Sequence, residues 1–289
     1  MIQTSVFSID CSSQKEFEIF PFYFNGKVQT DFPVKWGLTY KKAGTMRFRW
    51  NEKSENREKI FNKFLNEYKI PEKRFVPIEL IHSKDVIKVL NKNDSKNLLK
   101  DGIITENKNL IPTVTVADCV PIYFCDFKQK ILGVVHSGWK GTGIIENAIN
   151  ILKSDFKSKS ENICVAIGPH IQNCCYIVDE ERANYFTKNF GPDCVLPFKN
   201  GEKLKNKNIE LWKNSSSSLF RLSLLEANLF LLGKNNIPRE NILFCKNCTC
   251  CEEIFGSNRR ETSLAQKNGE PFDKAKCFTV QAAFTVNLS

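Results

Sequence analysis

Two dense apolar runs, VPIYFC (120–125) and KILGVV (130–135), stand four residues apart and are followed by the glycine-rich SGWKGTG. Both are short and rich in β-branched and aromatic residues, so they read as an antiparallel hairpin buried in a sheet. With Asp126–Gln129 as the loop, Cys125 faces Lys130, and the same register sets Cys119 opposite His136. Opposed residues share a face with Cβ atoms about 4.5–5.5 Å apart. That spacing suits two ligands of one zinc, at about 2.3 Å for sulfur and about 2.0 Å for nitrogen. A one-residue slip would send the two side chains to opposite faces. Cysteine is also a common small core residue, and a lone histidine is often hydrogen-bonded structure, so the pair alone leaves both readings open.

Other elements follow from periodicity. NREKIFNKFLNEYKI places Ile60, Phe61, Phe64, Leu65 and Tyr68 on one helical face, and GTGIIENAINILKSDF does the same with Ile145, Ala148, Ile149 and Leu152. SLLEANLFLLGKNNIP carries a capping box in Ser223 and Glu226, with Gly233 expected at the C-terminal cap and Pro238 beyond. EFEIFPFYF, VKWGLTY, RFVPIELIHSKDV, DGIIT, LIPTVTV, ENICVAIGP, ENILFC and CFTVQAAFTV read as strands, and the polar segment Phe198–Ser218 as a surface loop. Strands and helices are mixed without strict βαβ alternation. The expected fold is α/β, with α+β as the variant: one domain over 1–289 with a large mixed sheet flanked by helices.

Composition narrows function. No run of 18 apolar residues suggests a membrane span, and the start lacks the regions of a signal peptide, so a cytoplasmic protein is expected. The net charge of +10 comes from lysines scattered among asparagines rather than an arginine stripe. This pattern argues against nucleic acid and leaves an anionic small molecule as the compatible partner. Twelve cysteines without a secretory signal suggest reduced thiols or metal ligands. Only His82, His136 and His170 occur, so each position is informative.

The motifs ADCVPIYFCD, GVVHSGWKGTG and AIGPHIQNCCYIV resemble those of the YfiH family, described as polyphenol oxidases or multicopper laccases and later as purine nucleoside phosphorylases with adenosine deaminase activity. Weaker echoes, ENREKI, IHSKDV, DGIIT and FGSNRR, extend the likeness over residues 56 to 261, leaving 1–55 as a divergent β-rich part. The resemblance implies a mononuclear catalytic zinc on His82, Cys119 and His136. Three protein ligands leave a fourth position open, where an ion can lower the pKa of water from about 15.7 to about 7. It also implies purine nucleoside and phosphate as partners, with cleavage of adenosine, inosine or methylthioadenosine and deamination of adenosine.

Candidates for the phosphate are Arg57, Lys140, Arg259 and Arg260, arginine as a planar fork and lysine as a point charge. Lys140 lies in a strand-to-helix turn that could cradle an anion. Asp118 is expected to support the neighbouring Cys119 or the local structure rather than act as a general base, and His170 is a substrate-pocket candidate. Cys245, Cys248, Cys250 and Cys251 lack a separated second pair to close a tetrahedral metal site, so thiols of the core or surface are expected there.

Departures from the family pattern are Lys140 for arginine, Leu80-Ile81 for Gln-Val before the histidine, ETSLAQ after Arg260, and no S-L-N-L-G segment before Asn56. Two rival readings are a copper-dependent polyphenol oxidase, which three histidines cannot supply with several coppers, and a non-catalytic role such as peptidoglycan quality control. A monomer is expected.

Overall fold

A computed structural model describes residues 5–199, 202–206, 218–269, 273 and 277–289. Two mixed sheets pack face to face, with helices on both outer faces. The larger has seven strands in the order Ser5–Phe7, Ile242–Cys245, Ile163–Ile167, Val120–Asp126, Leu132–Ser137, Gly102–Thr105 and Val86–Lys88. The smaller runs Phe17–Pro21, Val34–Thr39, Gln281–Asn287, Leu110–Val116 and Arg74–Pro77. This is the α/β fold with a large mixed sheet that the sequence predicts.

Alternation along Val120–Asp126 shows how the layers arise. Ile122 and Phe124 face the helices α2 (Ile144–Asp155) and α4 (Leu224–Lys234), while Tyr123 and Cys125 face the smaller sheet and its Trp36. Helix α1 (Glu55–Glu67) covers the far side of the smaller sheet through Ile60, Phe64 and Leu65, beside Phe75 and Phe284. Both faces of the central hairpin are therefore buried, which is why its strands read as near-continuous apolar runs.

The hairpin forms, but its register differs from the expected one. Pro121, not Cys119, lies opposite His136, and Cys125 pairs with Leu132. The loop still has four residues but is Phe127–Lys130, because Asp126 closes it. The Asp126 N–H donates to Ile131 O, and its carboxylate accepts from the N–H groups of Lys128 and Gln129. Sliding the loop by one residue changes the pairing by two, an even step that keeps every side chain on its face. Cys119 is thus a diagonal neighbour of His136, on the same side of the sheet.

Three more details depart from expectation. Helix α4 runs through Gly233, and Asn236 takes the left-handed turn at φ 58°. Its capping box is half made: Ser223 Oγ accepts from Glu226 N, while Ser223 N donates to Cys194 O. Helices α3 (Glu180–Phe190) and α5 (Asn258–Lys267) are not among the expected elements; α3 buries Ala183, Phe186 and Phe190 on one face, and α5 buries Arg260. In the predicted loop Phe198–Ser218, residues 200–201 and 207–217 lie outside the described residues.

Gly133 faces Phe124 across the hairpin so closely that a Cβ would stand 2.6 Å from Phe124 Cε2 and 2.5 Å from Ile103 O. Gly133→Ala is expected to cost about 1–3 kcal/mol by overpacking. A lowered urea midpoint checks it, and an unchanged midpoint would contradict this account of the packing.

Candidate metal centre and substrate cleft

Three segments converge at one end of the hairpin. Asp118, at φ 77°, turns the chain just before Val120–Asp126 and presents Cys119. His136 stands near the end of Leu132–Ser137. His82, at φ 61°, comes from the loop after Arg74–Pro77. The ligand atoms of His82, Cys119 and His136 all lie within 4.8 Å of one another, and the two imidazoles meet edge to face at 5.0 Å. Gly138 floors the cluster: a Cβ there would stand 3.1 Å from Cys119 Sγ, 3.4 Å from His82 Cδ2 and 3.5 Å from His136 Cε1. A side chain there would crowd Cys119 Sγ, and glycine leaves the floor of the cluster open.

Asp101 holds the arrangement. Its fully buried carboxylate accepts from Ile81 N, His82 N at 2.9 Å, Ser83 N at 2.6 Å and Ser83 Oγ at 2.8 Å, and meets His136 Nδ1 at 3.0 Å. One acid thus anchors the left-handed His82 loop and orients the His136 ring so that Nε2 faces Cys119, the carboxylate–histidine support common in metal sites. Burial pushes the Asp101 carboxyl up, but the His136 contact and the Ser83 donors outweigh it and hold the group below the usual range. Burial also pushes the Cys119 thiol up, yet the charge of His136 and hydrogen bonds from His136 and His82 bring it down to about 7. Burial pushes His136 down, but the Cys119 thiolate and Asp101 raise it to about 9. One soft sulfur with two imidazoles is a donor set of the kind zinc takes.

A cleft of about 280 Å³ opens over the cluster, lined by Arg47, Arg49, Glu79, Asn258 and Phe278 among others. Arg49 pairs with Glu79 at 2.7 Å, and the Arg47 guanidinium lies 5.1 Å over the Phe278 ring. Arg47, Arg49, Asn258, Phe278 and Asp101 escape the sequence reading. The signals present are the basic–aromatic alternation MRFRW for Arg47 and Arg49, the acid heading DGIIT for Asp101, and the motif FGSNRR for Asn258.

The expected phosphate residues lie elsewhere. Arg57 is buried beneath Phe48, at 4.9 Å from the ring, with one donor on Arg47 O, so it props the segment that carries Arg47. Lys140 is exposed beside Trp139 and outside the cleft. The turn around it packs on the His82 loop, Gly141 against Ser83 O and Gly143 against Lys84, rather than forming an open cradle. Arg260 is buried, and its guanidinium donates to Thr249 O, Cys250 O, Glu252 O and Phe255 O. Arg259 is half-buried over Tyr176, and its N–H donates to Asp118 Oδ2.

Asp118 is structural, as expected, and also accepts from Thr249 Oγ1 at 2.7 Å. His170 is not a cleft residue: it is fully buried, Nδ1 donates to Gly168 O and Nε2 accepts from Gln172.

The family model described as a multi-copper polyphenol oxidoreductase laccase matches residues 42–269. The chain belongs to this family. A protein of Geobacillus stearothermophilus named purine nucleoside phosphorylase YlmD is 32% identical over 203 residues, covering 66% of this chain and 69% of its own. A purine nucleoside phosphorylase of Aquifex aeolicus is 30% identical over 203 residues, covering 70% and 81%. The crystal structure of YfiH from Bacillus licheniformis matches with a TM-score of 0.70 at 24% identity, over 88% of this chain and 92% of that one, and shows the shared fold. Among the described residues no helix is long and apolar enough to cross a membrane.

Proposed function

We propose that this chain is a zinc-dependent purine nucleoside phosphorylase that also deaminates adenosine. The observation that carries the reading is the His82–Cys119–His136 cluster beneath a cleft bearing an arginine and an amide. Its support is the family, whose relatives include proteins named purine nucleoside phosphorylase.

His82 Nε2 or Nδ1, Cys119 Sγ and His136 Nε2 would hold the ion, which supplies Lewis acidity when bound. In phosphorolysis a phosphate oxygen bonds to C1′ of the ribose, the bond from C1′ to the purine nitrogen breaks, and the purine leaves with a proton. Arg47 provides the fork for the phosphate, and its place over Phe278 keeps it aimed into the cleft. Asn258 offers an amide donor and acceptor to the ribose or base edge. Asp101 keeps the proton of His136 on Nδ1 and leaves Nε2 for the ion. In deamination, water replaces the amino group at C6 and ammonia leaves. One histidine of the three is committed to the core at His170, so a multicopper oxidase centre lacks ligands.

The test incubates zinc-loaded protein with adenosine or inosine, with and without phosphate. Adenine or hypoxanthine should form only with phosphate, and inosine from adenosine in either case. No base release from any of adenosine, inosine or methylthioadenosine would sink the phosphorylase reading and return the chain to a binding role. Arg47→Ala is expected to raise KM for phosphate about tenfold or more. Arg57→Ala should lower the melting temperature instead, and an unchanged phosphate KM in Arg47→Ala would remove that arginine from the site.

A further inference from the structure

The cysteines of CKNCTCC find their missing partners in a segment far away in the chain. Cys174 and Cys175, from HIQNCCYIV, lie against Cys248 and Cys251, and the four sulfurs are all within 4.8 Å of one another. Cys174 Sγ stands 3.8 Å from Cys175 Sγ and 3.7 Å from Cys251 Sγ, and Cys175 Sγ stands 3.3 Å from Cys251 Sγ. A single ion bonded to four sulfurs at about 2.3 Å sets tetrahedral neighbours about 3.8 Å apart. The cluster has that size. A disulfide needs about 2.05 Å, and a multi-iron cluster needs sulfurs spread much wider around its cage.

The surroundings fit the charge that four thiolates would bring. Cys248 and Cys251 have the C-x-x-C spacing of a metal knuckle, closed by hydrogen bonds from Cys251 N and Glu252 N to Cys248 O. The opposite turn is closed by Cys175 N and Tyr176 N donating to Gln172 O. Gln172 N donates to Cys248 Sγ at 3.3 Å, the support a metal-bound thiolate takes from backbone. A guanidinium braces each turn: Arg221 donates to Asn173 O and Cys174 O, and Arg260 to Thr249 O and Cys250 O. Arg221 also pairs with Glu202 at 2.7 Å and Arg260 with Glu261 at 3.3 Å, so the two guanidiniums fix the turns' backbone, and the direct support for a thiolate is the Gln172 N–H.

We propose that Cys174, Cys175, Cys248 and Cys251 bind one tetrahedral divalent ion, zinc by chemical preference, as a structural clasp. On binding, thiol protons leave to solvent and no electrons move. The clasp joins the IGPH segment to the turn after Ile242–Cys245. Thr249, inside the knuckle, holds Asp118 beside Cys119, so the clasp also braces one wall of the substrate site. It is independent of the function proposed above.

The experiment uses Cys119→Ala, which leaves no thiolate in the His82–Cys119–His136 cluster. Loaded with one equivalent of zinc and desalted, this protein should retain about one zinc per chain. Adding Cys248→Ser and Cys251→Ser should remove it. In case that triple variant does not fold, Cys119→Ala loaded with cobalt(II) should show tetrahedral ligand-field bands and sulfur-to-metal charge transfer of four-thiolate intensity. Metal-free Cys119→Ala protein after loading, cobalt bound without thiolate bands or with the intensity of two, or a disulfide among these four cysteines on non-reducing peptide mapping would each overturn the clasp. Nucleoside cleavage is not a readout, so failure here and failure of the phosphorylase assay are distinct.

Discussion

Cys119→Ala should lose base release from adenosine and inosine by about 10³-fold or more, since several kcal/mol of Lewis-acid stabilisation disappears with the ion. The fold should survive. Cys119 stands ahead of the strand rather than within it, is partly exposed, and contributes one sulfur to the packing. His82 and His136 remain as a two-nitrogen site, too weak to compete with a chelator. Metal content, melting temperature and phosphorolysis measured on one preparation separate the possibilities. Full turnover in a variant whose cluster no longer holds zinc would show that the chemistry lies elsewhere in the cleft.

Asp101→Ala should be costly in two ways. Removing a buried acceptor of five hydrogen bonds leaves the N–H groups of Ile81, His82 and Ser83 without their partner. The expected destabilisation is about 2–4 kcal/mol, from several unsatisfied donors partly rescued by water. The second cost is to the metal. With the His82 loop no longer tied and the His136 tautomer no longer set, affinity should fall about 10–100-fold. Asp101→Asn, which keeps the shape but offers only one accepting oxygen, should lie between. Chelator competition reads the affinity and urea unfolding the stability. If Asp101→Ala kept wild-type affinity for zinc, the carboxylate would be a strut of the fold and nothing more.

These two residues were unequally legible. Cys119 and His136 are close in sequence, and the hairpin between them has a strict period, so even the misplaced loop left them on one face. Asp101 carries no such pattern; its role depends on a loop, a neighbouring strand and a ring nitrogen meeting in space. The expected phosphate residues are not among those lining this cleft. Arg57 and Arg260 carry the right chemistry in family motifs, but the fold buries both and directs their donors to backbone carbonyls. Arg47 lies ahead of the motifs that first suggested the family, though inside the 42–269 match, and it is Arg47 that lines the cleft.

By itself the sequence determined whatever is local or periodic: the central hairpin and the face its side chains take, the stripes of α1, α2 and α4, and the shared face of Cys119 and His136. Tertiary structure alone decided what depends on distant segments meeting. Cys174 and Cys251 are 77 residues apart in the chain and 3.7 Å apart at their sulfurs, because parallel pairing of Ile163–Ile167 with Ile242–Cys245 delivers both turns to the same end of the sheet. Hydrophobic periodicity records which face of an element is buried. It holds no term for which buried faces meet, and the four-cysteine cluster, the grip of Asp101 and the cleft of Arg47 all arise from those meetings.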